Sequence, residues 1–282
     1  MAKFLGVRGS NPARLFGAGG LKVIDPRRIA AASDADAAVA RLDPSSTARV
    51  TDVIWNWVFG ESLAGQWQHL SRVYIPRTNE LSAYTDLKNG ATATPAGTPV
   101  YIAQDGFTLQ YGDTVNLSAD LATLYGAANI DSCVVGHFTS SIADKQGFYY
   151  LIDADPFSSE LVIGGRVSTS KAVANWLSGY LGPTDTTISD AKLIDQVVQV
   201  QSAVGSGAGY ALLSFADGDS GIVAPAGAPQ TALGTSVTVN AGFNGSNNCT
   251  QTWGMSYIAS SSLDFAGFSV RTGAMMAALA IA

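Results

Sequence analysis

The chain has 282 residues, of which 47% are hydrophobic and only 13% are charged, and its formal net charge is −6. This length and hydrophobic share are enough to bury a full core without disulfide or metal support. The acidic balance argues against wrapping nucleic acid, because phosphate binding needs many Lys and Arg side chains on one face.

Charge is distributed unevenly along the chain. Residues 1–28 hold six basic side chains and one acid, whereas the other 254 residues hold ten basic and 21 acidic ones. Five Gly and two Pro in this first segment predict an extended arm that becomes ordered on a partner. We interpret its cations as an assembly anchor; they are Lys3, Arg8, Arg14, Lys22, Arg27 and Arg28.

No segment has the pattern of a secretory signal or a membrane span. The N-terminus lacks the apolar region of a signal peptide, and no stretch reaches the roughly 18 apolar residues that a span needs. Cys133 and Cys249 are too few and too far apart to indicate a disulfide framework or a metal site. We therefore expect folding in the cytoplasm, no cofactor and two buried thiols.

Residues 29–42 are rich in Ala, lack Gly and Pro, and stop at Asp43-Pro44, which predicts one short helix. The apolar face of this helix buries too little to hold it alone, so it must pack on the body or on other copies. The predicted organisation is an arm over residues 1–28, a helix and linker over 29–50, and a β-sandwich body over 51–282.

From residue 51 onward, aromatic and β-branched residues alternate with polar ones between turn residues, which is typical of antiparallel strands. The clearest unit is a hairpin over 100–111 with Asp105-Gly106 at its turn. Other strands are predicted over 53–59, 71–75, 132–139, 147–153, 160–167, 196–201, 210–214, 236–240, 251–259 and 265–271. Residues 116–125 and 168–180 are predicted as helical turns. The fold class is mainly β, an antiparallel sandwich or jelly roll with an N-terminal arm and one short helix.

Gly218-Asp219-Ser220-Gly221 resembles the motif around the nucleophile of chymotrypsin-like serine proteases. That chemistry needs a His base and an orienting Asp, for which His137 and either Asp153 or Asp155 are the candidates. The chain departs from the family pattern at Phe138 and Ile222, where the family has Cys and a second Gly. A hydrolase using Ser220 or the acidic residues is therefore an alternative hypothesis, and we expect the chain not to be an enzyme.

Two short acidic segments are weak candidates for a bound cation. Asp217 and Asp219 alternate with Gly, and Asp153 and Asp155 precede Glu160, which suits oxygen ligands around a hard cation. Neither segment completes a twelve-residue ligand loop. The competing interpretation is that these residues form ordinary turns between strands.

Three of the five tryptophans, Trp55, Trp57 and Trp67, lie within thirteen residues. Aromatic rings of this kind form platforms for sugar rings, and they also fill cores and subunit interfaces. The sequence is consistent with both interpretations, and in the first of them the three tryptophans are possible glycan contacts.

The basic Gly-rich arm, the Ala-rich helix and the acidic β-body together resemble, in composition and layout, virion structural proteins of bacteriophages and of phage-like gene-transfer agents. The resemblance implies a homo-oligomer, usually a trimer in fibres and spikes. It also implies attachment to other virion proteins through the arm, and contact between the β-body and a host polysaccharide. A fibre, spike or surface subunit is the first hypothesis, and a capsid or decoration subunit is the closest alternative.

Overall fold

The computed structural model describes residues 25–110, 112–126, 132–143, 150–155, 159–166, 171–177, 194–202, 211–223, 236–242 and 250–281. The helices in these ranges are α1 (Pro26–Val39), α2 (Ala48–Leu63), α3 (Leu121–Tyr125) and α4 (Phe265–Ala280). The strands are β1 (Leu70–Tyr74), β2 (Thr94–Ala96), β3 (Val100–Ile102), β4 (Gly106–Leu109), β5 (Thr114–Asp120), β6 (Cys133–Ala143), β7 (Tyr150–Asp155), β8 (Ser159–Arg166), β9 (Lys171–Leu177), β10 (Val197–Ser202), β11 (Ala211–Phe215), β12 (Ser220–Val223), β13 (Ser236–Gly242) and β14 (Thr250–Ser260).

The strands form two antiparallel sheets. The eight-stranded sheet has the order β12-β11-β10-β6-β14-β4-β3, with β1 also paired to β14. The six-stranded sheet has the order β2-β5-β13-β7-β8-β9. Side chains from both sheets, including Leu117, Val198 and Trp253, meet in a buried core between them. The predicted mainly β, sandwich-like fold class is confirmed.

Helices α1, α2 and α4 form a layer on the outer face of the eight-stranded sheet. Their buried side chains share a second core with the outward side chains of β6 and β14, among them Phe138, Met255 and Tyr257. The eight-stranded sheet is therefore buried on both faces, which explains why nine consecutive residues in the interior of β14 are buried. The molecule has three layers, not two.

The predicted short helix exists as α1, three residues earlier than expected. Asp25 caps it by accepting a hydrogen bond from the Arg27 backbone N–H, and Pro26 takes the first helical position. Arg27 and Arg28 therefore belong to the first turn of a helix and not to an extended arm, whose other four cations lie outside the described residues. Ala31, Ala35 and Ala38 are fully buried, and α1 packs on α2 of the same chain.

Several predicted elements were wrong. Residues 53–59 and 265–271 are helical, in α2 and α4, because their buried positions recur at helical spacing although their residue types favour strands. Residues within 168–180 form strand β9, and 116–125 divides into most of β5 followed by α3. The first strand of the sandwich thus starts at Leu70 and not near residue 51. The hairpin over β3 and β4 is confirmed, but the predicted turn at Asp105-Gly106 was wrong: the turn is residues 103–105, because Gly106 already pairs with Ile102 in β4.

A buried ion pair joins α2 to α4. Arg271 donates from Nε and Nη2 to the two carboxylate oxygens of Glu61, each at 2.8 Å. Glu61 is fully buried. Burial raises the pKa of Glu61 against the opposing effect of Arg271. The carboxylate therefore depends on Arg271 to remain charged inside the helical layer.

Arg271→Ala should lower the free energy of unfolding by about 3 kcal/mol, because it leaves a buried carboxylate without its cation. The expected loss lies at the low end of the range for buried ion pairs, because the Arg271 side chain is 34% exposed. Urea unfolding measures the loss, and Glu61→Gln combined with Arg271→Met should recover most of it. Arg27→Ala breaks an exposed ion pair with Asp25 and should change nothing measurable. Equal stability of Arg271→Ala and wild type would contradict the role of the buried pair.

Candidate functional site

The outer face of the six-stranded sheet is the candidate site. In the described part of the chain, α1, α2 and α4 cover the other sheet, and α3 closes one end of the core between the sheets. The alternation in β5 sends Val115, Leu117 and Ala119 into that core and leaves its other residues at the surface. This face is thus a sheet surface with polar side chains and with no described helix packed on it.

The polar side chains of this face are aligned by strand register. Thr94 of β2 lies opposite Asn116 of β5, and Asn116 lies opposite Asn240 of β13. With neighbouring strands about 4.8 Å apart, this row spans about 10 Å. A second row places Thr238 opposite Asp120. The Asp120 carboxylate caps α3 by accepting from the Ala122 backbone N–H and the Thr123 hydroxyl. The hydroxyl and amide groups of the rows are suited to hydrogen bonding with a polyhydroxylated ligand.

An irregularity in β5 lies beside the β2 edge of this face. Ser118 has φ +48°, in the left-handed region, where the register with β13 shifts. Its backbone N–H donates to Asn116 Oδ1 at 2.8 Å, and its hydroxyl donates to the Thr92 carbonyl. Bulges of this kind redirect side chains and are frequent beside binding sites. The bulge fixes the direction of Asn116 on the open face.

Asn116 and Thr94 were missed as site residues, although a signal for Asn116 exists in the sequence. Residues 114–120 read Thr-Val-Asn-Leu-Ser-Ala-Asp, a strict polar and apolar alternation that predicts a half-buried strand. The helical interpretation of residues 116–125 concealed it. Thr94 carries no comparable signal, because β2 is a three-residue edge strand with Pro95 at its centre.

Burial contradicts the interpretation as glycan contacts for two of the three tryptophans. Trp57 and Trp67 are only 5% and 3% exposed. Their rings meet edge to face at 5.9 Å, and the Trp57 indole donates to Thr272 Oγ1 at 3.2 Å. Trp55 is half-buried, donates to Asp36 at 2.8 Å and stacks on Phe59. The cluster belongs to the helical layer, as the competing core interpretation expected.

The serine-protease arrangement is not formed by the described residues. Ser220 is exposed on the edge strand β12, whereas His137 is 1% exposed on β6. Strands β11 and β10 lie between them, so the two residues are about 14 Å apart. This distance is several times the reach of a hydrogen bond between a nucleophile and its base.

The acidic candidates are separated as well. Asp217 and Asp219 are exposed in the β11–β12 turn, where Asp217 accepts a hydrogen bond from the Asp219 backbone N–H at 3.0 Å. Asp153 and Asp155 belong to β7 of the six-stranded sheet, where Asp153 is in register with Thr238 and Glu160. Within the described ranges, no group of three or more His, Cys, Asp or Glu side chains is placed to hold a metal ion. None of the helices described there is long and apolar enough to cross a membrane.

No protein-family model matches the sequence, and no curated protein matches it. Among solved structures, the fold is similar to the binding domain of botulinum neurotoxin DC in complex with rat synaptotagmin II. That match has a TM-score of 0.50 and 13% identity, and covers 74% of this chain and 52% of that chain. The galectin LEC-6 of Caenorhabditis elegans matches with a TM-score of 0.34 and 10% identity over 59% of this chain and 95% of that one. The chain spans about half the length of the neurotoxin domains it matches. The neurotoxin match shows a shared sandwich fold.

Burial lowers the pKa of His137 well below its usual 6.5, which predicts acid-sensitive stability. Above pH 6.5 the imidazole is neutral in the folded and the unfolded chain. Below it the unfolded chain binds a proton that the folded chain does not, so stability falls by up to about 1.4 kcal/mol per pH unit. Urea unfolding of wild type and His137→Gln at pH 6.5 and 5.0 checks this. The variant should lose less stability than wild type on acidification. Identical losses would show that His137 does not cause the acid sensitivity.

Proposed function

We propose that the chain is a non-enzymatic surface-attachment subunit of a phage-like particle, which binds polysaccharide of the host surface through the open face of its six-stranded sheet. The observation that most supports this proposal is the difference between the outer faces of the two sheets. One is covered by three helices, and the other presents aligned Thr and Asn side chains. Because one fold hosts many functions, the proposal depends on this face and not on the shared fold.

The position of the N-terminal segment supports an attachment role. Helix α1 starts at Pro26 and belongs to the helical layer that covers the eight-stranded sheet, so the chain before Asp25 is connected to this layer and not to a strand of the open polar face. A subunit that is held on one side and meets a ligand on the other needs this arrangement. The basic segment is then the contact with other virion proteins.

The exposed side of α4 supports self-association. Among its 16 residues the only charged one is Arg271, which is bound to Glu61. Val270, within the helix, is nevertheless 68% exposed, and Ile281, which caps its C-terminal end, is 66% exposed. A helix that is apolar all round is usually buried. A second copy, with the same uncharged side, would cover it without unpaired charge.

Removing polar groups from the open face should weaken glycan binding without unfolding the protein. We expect Thr238→Val, which keeps the side-chain shape, and Asn240→Ala together to reduce binding at least tenfold on an array of bacterial oligosaccharides. Asn56→Ala is the matched control, because Asn56 is exposed on α2. Wild-type binding that the double variant retains would exclude this face, and a wild-type protein that binds no glycan would refute the proposed function.

Deletion of residues 1–24 tests the attachment role and spares the Asp25 cap. The shortened chain should keep the wild-type midpoint of thermal unfolding and lose incorporation into a larger particle. Light scattering of the full chain should give a mass of at least two copies of the 29.1 kDa chain. A full-length monomer that the deletion leaves unaffected in every assay would contradict the virion role. Incorporation without glycan binding would favour a capsid or decoration subunit.

A further inference from the structure

We infer that Tyr84 and Tyr101 form a second carbohydrate contact at the edge of the sandwich, and that the saccharide they select is neutral or an amino sugar, not an acidic one. This inference rests on the proposed function, because it names the ligand class of the same binding surface. The sequence alone assigned the aromatic role to Trp55, Trp57 and Trp67, of which Trp57 and Trp67 are buried.

Both tyrosine rings are anchored on the core between the sheets. The Tyr84 ring stacks on Phe107 at 4.9 Å and 26°, and the Tyr101 ring meets Phe107 at 5.3 Å and 64°. Tyr84 also approaches Trp253 at 6.3 Å. Both tyrosines are half-buried, so each ring has one part fixed by packing and another part accessible. Rigid, amphipathic rings of this kind bind with little loss of side-chain entropy.

Among the described residues, the charged groups that act on these two tyrosines are acidic. Burial raises the pKa of Tyr84 to about 12, with added effects of Glu80 and Asp113. Burial also raises the pKa of Tyr101, again with a contribution from Glu80. Both hydroxyls therefore remain protonated donors at neutral pH. A sugar carboxylate placed beside them would meet the negative charges of Glu80 and Asp113, whereas a hydroxyl or an ammonium group would not be repelled.

The backbone around the pair is held in place by Asp113. This buried carboxylate accepts from the backbone N–H of Thr98 at 2.7 Å and of Gln110 at 2.9 Å. Gly97, with φ +85°, lies so close to the carboxylate that a Cβ there would overlap it. Asp113 thereby fixes the crossover from β2 to β3, the strand that contains Tyr101.

The chain connects the tyrosine pair to the open sheet face. Strand β2 supplies Thr94 to the polar row of that face, and the crossover that follows β2 leads directly to Tyr101. The two contacts are therefore joined through one edge strand. A saccharide of several units that lies on the open face can extend past β2 to the tyrosine rings.

An array of neutral, amino and acidic bacterial oligosaccharides tests the inference on the full chain. Wild type should bind among neutral or amino sugars, and Tyr84→Ala and Tyr101→Ala should each weaken the strongest of these interactions at least fivefold. Tyr125→Ala is the matched control, because Tyr125 is half-buried against the same core on α3. Glu80→Gln alters an exposed residue, so it should fold as wild type does and raise the signal of acidic glycans at least twofold.

The outcomes separate the two proposals. A wild-type protein that binds no sugar refutes the proposed function, and the inference with it. Binding that Thr238→Val with Asn240→Ala abolishes but that neither tyrosine variant changes refutes the inference alone. Wild-type binding confined to glycans with uronic or sialic acid also overturns it. If the tyrosine variants do not fold, an unchanged acidic-glycan signal in Glu80→Gln refutes the charge selection.

Discussion

The rest of the structure depends on the burial of both faces of the eight-stranded sheet. Its central strand β14 pairs with β6, β4 and β1, and its interior residues are buried without interruption. Tyr257 illustrates the constraint. Its ring lies against Gly136 of the neighbouring strand, where any Cβ would overlap it, and packs edge to face on Phe268 of α4 at 4.8 Å. One side chain thus connects the sheet to the helices that cover it.

Covering this sheet requires the helical layer to accommodate charged groups out of water. Arg77 is 5% exposed, donates to the Met276 carbonyl at 3.0 Å and lies 4.9 Å from the centre of the Phe138 ring. Arg49 donates to the carbonyls of Ala278 and Leu279, which satisfies the C-terminal end of α4. The cations of Arg77 and Arg49 are paired with carbonyl groups, because an unpaired buried charge costs several kcal/mol. The layer serves packing, and the outer face of the other sheet has no described helix packed on it.

Most strands could be predicted from the sequence, because alternation with turn residues reports a half-buried sheet directly. The two long helices could not be predicted in the same way. Val53, Ile54 and Val58 have high strand propensity, and only the cover that α2 provides for the sheet makes its helical spacing decisive. Sequence proximity of Trp55, Trp57 and Trp67 likewise indicated a cluster without indicating its burial. The candidate site was hidden for a related reason, since Thr94, Asn116 and Asn240 meet only through register between distant strands.

The packing of the N-terminal helix α1 removes one reason for expecting an assembly role. Helix α1 buries too little to be stable alone, but α2 of the same chain supplies its partner. An assembly role therefore depends on residues 1–24 and on the exposed side of α4, and no longer on the weakness of α1. What remains is a molecule with an apolar covered side and a polar open side.

Hydroxyl-radical footprinting with mass spectrometry tests this central claim most directly, because it measures the solvent access of individual side chains in the folded protein. Met255 and Tyr257 lie on the covered face of the eight-stranded sheet and are fully buried. They should remain unmodified under doses that oxidise the half-buried Tyr84 and Tyr101. Oxidation of Met255 and Tyr257 at the rate of these accessible residues would contradict the account.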